Sequence, residues 1–207
     1  MPTERSLCTP CLFDLNRTYY EKKPYDNPMA QCLWGLVPIE RAAALMFFIP
    51  HTPEAALVYR LKYGGRPDIG EDIGRIMANV LLPSHFFDGI DALVPVPLSP
   101  KRMRQRGYNQ SQMLAEGISD ITHIPVLTKA VGRKHFHESQ TKLTRKERRQ
   151  NVEHMFFLTD GTLLEGRHIL LIDDVCTTGA TLTACAEAIK NIKGVQISIL
   201  TLGFTKK

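Results

Sequence analysis

The chain has no apolar run long enough to span a bilayer. Ala42–Ile49 is among its longest, and a spanning helix needs about 20 residues. No basic start leading into an apolar stretch marks a secretory signal, so the cytoplasm is the expected location. Internal repeats and low-complexity linkers are also missing. Tryptophan occurs once, and Trp34 reads as a packing residue rather than a stacking platform. Cysteine is sparse and odd in number, with five in 207 residues. Cys8 and Cys11 form a C-x-x-C pair, Cys32 follows, and Cys176 and Cys185 lie far away in an apparent loop and helix. In a cytosolic chain such a pair fits a metal knuckle better than a disulfide, but a closed structural zinc site needs four ligands.

What is present suits an ordinary globular protein. Hydrophobic residues make up 43% of the chain, enough for a core. The length fits one α/β domain, residues 41–207, with a small irregular Cys-containing appendage over residues 1–40. The net charge of +5 favours anionic partners such as phosphates, nucleotides or nucleic acid. The cations cluster at Lys101–Arg106 and Lys142–Arg149.

Strand and helix patterns alternate. Ala42–Ile49 is apolar and fits either type. Pro53–Tyr63 and Asp68–Leu82 read as helices, the second capped by Asp68. Asp91–Val96 reads as a buried strand ending at Pro97, followed by a polar loop Ser99–Gly107 and a helix from Asn109 to Ile118. Val126–Val131 and the Phe156-Phe157 pair read as further strands. His168–Ile172 is a strand, Gly179–Lys190 a helix and Val195–Gly203 a last strand. This alternation predicts a mostly parallel central sheet with helices on both faces. Gly132–Asn151 is too long for an ordinary connection and suits an active-site lid or a disordered loop.

The densest chemical signal is LLIDDVCTTGATL, Leu170–Leu182. An apolar strand runs into Asp173 and Asp174. Thr177, Thr178, Gly179, Ala180 and Thr181 then open a helix. Open α/β sheets bind ligands at strand carboxyl ends. A helix start offers free N–H groups and partial positive charge to a phosphate. Threonine hydroxyls add donors, and Gly179 permits close approach. No Walker sequence or dinucleotide glycine fingerprint is present. Carboxylates repel phosphate, so the two acids must face another part of the same ligand. Ribose hydroxyls fit, with the 5′-phosphate in the threonine-rich nest. Fixed carboxylates would also stabilise positive charge developing at an anomeric carbon.

This segment resembles the 5-phosphoribosyl-1-pyrophosphate (PRPP) motif of type I phosphoribosyltransferases. With Pro95–Ala115 (PVPLSPKRMRQRGYNQSQMLA), Leu61–Gly65 (LKYGG) and Ser139–Val152 (SQTKLTRKERRQNV), the chain resembles the ComF family from about Cys8 onward. That family includes competence proteins for DNA uptake and amidophosphoribosyltransferase-like chains. The resemblance implies the type I phosphoribosyltransferase fold, Mg²⁺ bound with PRPP, and Asp173 and Asp174 as the catalytic acids. It assigns Lys101, Arg102, Arg104, Arg106 and Asn109 to pyrophosphate, and Gln140, Thr141, Arg145 and Arg149 to a flexible loop over the substrate. Lys62 and Tyr63 match a further family segment. Relatives usually carry two C-x-x-C pairs in a zinc ribbon. This chain has one pair plus Cys32, so Cys8, Cys11 and Cys32 stand as a partial Zn²⁺ set and no closed site is assigned.

Three functions remain open on these residues: a Mg²⁺-dependent phosphoribosyltransferase, a protein handling single-stranded DNA on the same fold, and a PRPP-sensing regulator. No helix-turn-helix and no glutaminase part is recognisable. The acceptor substrate is not encoded in any readable motif, and the oligomeric state is open, a dimer included.

Overall fold

Four parallel strands form the centre of the computed structural model, which describes residues 15–134 and 155–206. They are β1 (Ala42–Phe47), β2 (Ala92–Pro95), β5 (His168–Cys176) and β6 (Gln196–Phe204), in the order β1-β6-β5-β2. Their interiors are apolar on both faces, as a sheet covered on both sides requires. Two short strands, β3 (Val131–Arg133) and β4 (Phe156–Leu158), pair antiparallel beside the sheet. The α/β fold with a mostly parallel sheet and flanking helices, expected from the alternating pattern, is the one observed.

Helices α1 (Pro28–Leu33), α2 (Pro53–Tyr63), α3 (Pro67–Leu81), α4 (Pro100–Arg106), α5 (Gln110–Thr122) and α6 (Ala180–Glu187) cover the sheet. Along α3, Ile69, Ile73 and Met77 are buried together with Leu114 and Ile118 of α5. Each such side chain contributes roughly 1.5–3 kcal/mol on burial. The α3–α5 contact is unusually close: a Cβ on Gly117 would collide with the Glu71 carbonyl. Glycine there lets the two backbones touch.

Connections explain where a ligand can sit. From β2 the chain passes through α5 to Val126, which bridges Leu93 in parallel on the side of β2 away from β5. From β5 it passes through α6 to β6, in the opposite direction. Right-handed crossovers that diverge in this way place α5 and α6 on opposite faces. A crevice opens between the carboxyl ends of β2 and β5, the topological switch point.

Several local expectations change. Ser99–Gly107 is not a loop: Ser99 accepts from the Arg102 N–H, Pro100 starts α4, and Gly107 ends it at φ +79°. The acids of the central motif lie inside β5, which runs on to a buried Cys176 instead of ending at Ile172. Asp68 does not cap α3. Arg66 takes the cap position, and Asp68 pairs with its guanidinium. Val126–Val131 is not continuous; an isolated bridge at Val126 precedes β3. Residues 28–33, expected to be irregular, form α1, capped by Asn27. Phe156 is buried but Phe157 is exposed, and Trp34 is 53% exposed rather than packed. Tyr20, Met29, Leu33 and Val37 join the same apolar cluster as the sheet.

Candidate functional site

A cleft of about 230 Å³ occupies the switch point. β5 supplies its floor through Asp173 and Asp174, and the turn into α6 supplies Thr177 and Thr181. Opposite them stand Arg102 and Arg106, one helical turn apart on α4. Lys62, from the end of α2, and Arg133, from β3, complete the charged lining.

The two adjacent acids differ in surroundings. Asp173 Oδ1 accepts from the Ser111 hydroxyl at 3.0 Å and from the Asp174 N–H at 2.9 Å. Burial first, and then the negative charge of Asp174, push its carboxyl up to about 7. Asp174 meets Lys62, Oδ2 to Nζ 3.1 Å. One acid is thus poised near neutrality, while the other is held by a cation.

The turn after β5 has the geometry expected of a phosphate nest. Gly179 sits at φ +76° at the start of α6 and has no side chain to cap it, so first-turn N–H groups beyond that of Ala180 are left for a ligand. A side chain at this position would be strained, and its Cβ would lie 2.8 Å from Leu33 Cδ2. Thr177, Thr178 and Ala180 are exposed and Thr181 half-buried. Thr178 Oγ1 accepts from the Ala180 N–H at 3.4 Å, and its carbonyl accepts from the Cys32 thiol at 3.6 Å.

Arg133 is a site residue that sequence reasoning passed over. Its guanidinium lies over the Phe156 ring at 5.1 Å and donates to the Pro97 carbonyl at 3.4 Å. Burial first, and the neighbouring Arg102 next, hold its pKa below the usual arginine value. A half-buried cation facing a second cation is a poised anion site. Ser111 was missed as well. The only available signal for either was proximity in sequence to a recognised segment.

The basic run divides. Arg102 and Arg106 line the cleft, and Arg106 also bonds Gln110 Oε1 at 2.7 Å. Lys101 and Arg104 are exposed and are not part of the cleft wall. Asn109 is buried, caps α5 through the Ser111 N–H and donates to the Val96 carbonyl at 3.1 Å. Gln140, Thr141, Arg145 and Arg149 lie outside the described residues, as do Cys8 and Cys11. Cys32 is described, and no group of three or more His, Cys, Asp or Glu able to hold a metal occurs among the described residues. Burial raises the Cys176 thiol to about 12 and pushes Cys185 up too. Neither is a thiolate nucleophile at neutral pH.

A parallel sheet with paired acids and a glycine-hinged nest at its switch point defines a phosphoribosyltransferase-type domain. The family model described as phosphoribosyl transferase domain matches residues 71–205. DNA utilization protein YhgH of Escherichia coli (strain K12) is 28% identical over 188 residues, 89% of this chain and 78% of that protein. Competence protein F of Haemophilus influenzae is 30% identical over 151 residues, 71% of this chain and 66% of the relative. Competence protein ComFC of Bacillus subtilis is 33% identical over 148 residues, 69% of this chain and 56% of the relative. The chain belongs to the ComF family of phosphoribosyltransferase-domain proteins. No helix among the described residues is long and apolar enough to cross a membrane.

Proposed function

We propose that this protein binds PRPP with Mg²⁺ in the switch-point cleft and transfers its 5-phosphoribosyl group to an acceptor. The observation that carries this reading is the set of charged groups that line one cleft. Asp173 and Asp174 share its wall with Thr177 and Thr181 of the nest and with the guanidinium groups of Arg102, Arg106 and Arg133. PRPP presents the complement to these groups: a 5-phosphate, a ribose with free hydroxyls, and a pyrophosphate.

Asp173 and Asp174 accept from the ribose hydroxyls and lie where positive charge develops as the C1 bond to pyrophosphate breaks. The nest fixes the 5-phosphate, so the anomeric carbon is held in one place. The three arginines stabilise charge on departing pyrophosphate. Mg²⁺ prefers oxygen ligands and keeps several waters, so it suits delivery on the diphosphate rather than a protein cage. It supplies neutralisation of the pyrophosphate charge. Cys32 alone of the proposed zinc ligands is described, and no step is assigned to zinc.

The test is a thermal-shift titration. PRPP with Mg²⁺ should raise the melting temperature, and Asp173→Asn with Asp174→Asn should abolish the rise while leaving the protein folded. No rise for the wild type at millimolar PRPP sinks the proposal. Radiolabelled PRPP and an acceptor screen then separate transfer from sensing, since a regulator would bind without turnover.

A link to DNA rests on the names of the relatives, which speak of competence and DNA utilization. If this chain handles single-stranded DNA, affinity should fall with salt at a slope near −0.7 per phosphate contact. Absent or salt-independent binding removes that link and leaves the PRPP reading intact.

A further inference from the structure

Beside the PRPP cleft lies a second cavity of about 440 Å³, within the range of small-molecule sites. Lys62 and Tyr63 at the end of α2, with Gly65 just after it, supply part of its wall. Arg102, Gln105 and Arg106 of α4 supply the rest. Gln105 and Arg106 lie three and four residues after Arg102, so the three share one face of that helix. Lys62, Arg102 and Arg106 line both cavities. The paired acids and the threonines line the PRPP cleft alone, and Tyr63, Gly65 and Gln105 line the second cavity alone. The three cations therefore form the border between them.

Two features of this cavity go unused by PRPP. The first is its charge. Among the described residues no carboxylate lines it, so its three cations face one open space. Lys62 keeps ammonium donors beyond its pair with Asp174. The second is Tyr63, whose ring is 72% exposed. The Arg106 guanidinium lies over that ring, 5.4 Å from its centre, and helps to hold it in place. Gly65, at φ +63°, has nothing within 4 Å of the point where a side chain would start, so the space after the ring is open. An accessible aromatic and a cluster of accessible cations thus face one cavity.

We propose that this cavity binds a nucleoside 5′-polyphosphate, its base stacked on Tyr63 and its phosphates on Arg102, Arg106 and Lys62. This rests on the reading that the same arginines take the pyrophosphate of PRPP, here approached from the neighbouring cavity. An aromatic face stacks on any base. Guanidinium takes phosphate oxygens in a two-pronged geometry, and the Gln105 amide offers both a donor and an acceptor to a base edge. A polyphosphate concentrates several charges where three cations meet. A monophosphate brings fewer, and a diester strand spreads one charge over each nucleotide. Because the cations are shared, this nucleotide and the diphosphate of PRPP exclude each other. The nest and the acids stay open to ribose 5-phosphate. A nucleotide in this cavity is therefore a brake on PRPP binding.

Calorimetric titration of the full chain with ATP and GTP in Mg²⁺ tests this. At least one should bind, and more tightly than its monophosphate. Inorganic pyrophosphate should displace it and ribose 5-phosphate should not. Tyr63→Ala, at an exposed helix end, should weaken the nucleotide by about tenfold or more and leave inorganic tripolyphosphate unchanged. Tyr63→Phe should bind as wild type does. No binding of either nucleotide overturns the proposal, as does equal affinity in wild type and Tyr63→Ala. Displacement by ribose 5-phosphate would place the nucleotide in the threonine nest and overturn it too. Tighter binding of a hydroxyl-ended single-stranded oligonucleotide, lost in Tyr63→Ala, would assign the ring to a nucleic-acid strand instead. The PRPP-induced melting shift should persist in Tyr63→Ala, and its loss there would make the ring part of the PRPP site. If wild type shows no PRPP shift yet binds ATP through Tyr63, the phosphoribosyl reading fails and the nucleotide site stands.

Discussion

Lys62 reaches from the end of α2 to Asp174 at the end of β5, Nζ to Oδ2 3.1 Å, with both side chains largely buried. Two carboxylates in sequence would otherwise face each other's charge in a confined cleft. Lys62 offsets part of it, and its position beside Arg106 leaves it within the cationic wall.

Removing this cation should therefore act on both neighbours. Lys62→Met leaves Asp174 unpaired and strengthens its repulsion of Asp173, so the Asp173 carboxyl should rise further. PRPP affinity should fall by about tenfold, or ~1.4 kcal/mol. Titration calorimetry across pH 6 to 8 measures both effects. Unchanged affinity would make Lys62 a surface pair only.

Asp173 itself imposes a pH dependence whose sign is fixed. Its carboxyl moves from 3.8 in the free state to about 7 in the fold. Between those values the folded protein holds a proton that the unfolded chain has released, so stability falls as pH rises through that window. Asp173→Asn cannot ionise and escapes the loss. Urea midpoints should show the variant more stable than wild type at pH 8, by on the order of 1–3 kcal/mol, with the advantage vanishing at pH 4. An equal difference at both pH values would contradict the assignment.

The sequence disclosed the site's core and part of its walls. Asp173 and Asp174, the threonines and Gly179 are contiguous, so one strand–turn–helix pattern exposed them together. Lys62 and Arg133 come from segments more than 35 residues before the motif, and only the fold brings them to the cleft. Helix α4 was misread from its polar composition, although Ser99, Pro100 and Gly107 carried ordinary start and stop signals. Its helical phase then decides which cations face the ligand, something a count of basic residues does not reveal. The strand pattern at Phe156-Phe157 failed differently: in a two-stranded ribbon only one face is covered, so Phe157 is left on the surface.

Gly179 couples the nest to the N-terminal helix. Gly179→Ala forces a side chain into a left-handed backbone and against Leu33. It should cost roughly 1–2 kcal/mol in denaturant unfolding and weaken PRPP. Leu33→Ala adds space but removes a fully buried side chain. Combined, the two should cost less than the sum of their separate effects, because one clash is counted in only one background. Strict additivity would show that backbone strain alone carries the Gly179 effect.

Arg133 offers the sharpest separation of stability from binding. Its guanidinium is partly desolvated and repelled by Arg102, so the free protein bears a cost for holding it in the cleft. Arg133→Met keeps the length and the apolar contact with Phe156 but removes the charge. The ligand-free variant should unfold at equal or higher denaturant concentration than wild type, the usual outcome when a strained functional group is neutralised. Its affinity for PRPP and for inorganic pyrophosphate should nonetheless fall by about 10- to 100-fold, the range for losing one charge-assisted contact of ~1.4–2.8 kcal/mol. Ribose 5-phosphate, which lacks the pyrophosphate, should bind both proteins alike. Arg104→Ala, outside the cleft wall, should leave all three ligands unaffected. If Arg133→Met instead destabilised the protein and weakened ribose 5-phosphate as much as PRPP, the guanidinium would be a structural prop for β3 and not a pyrophosphate contact.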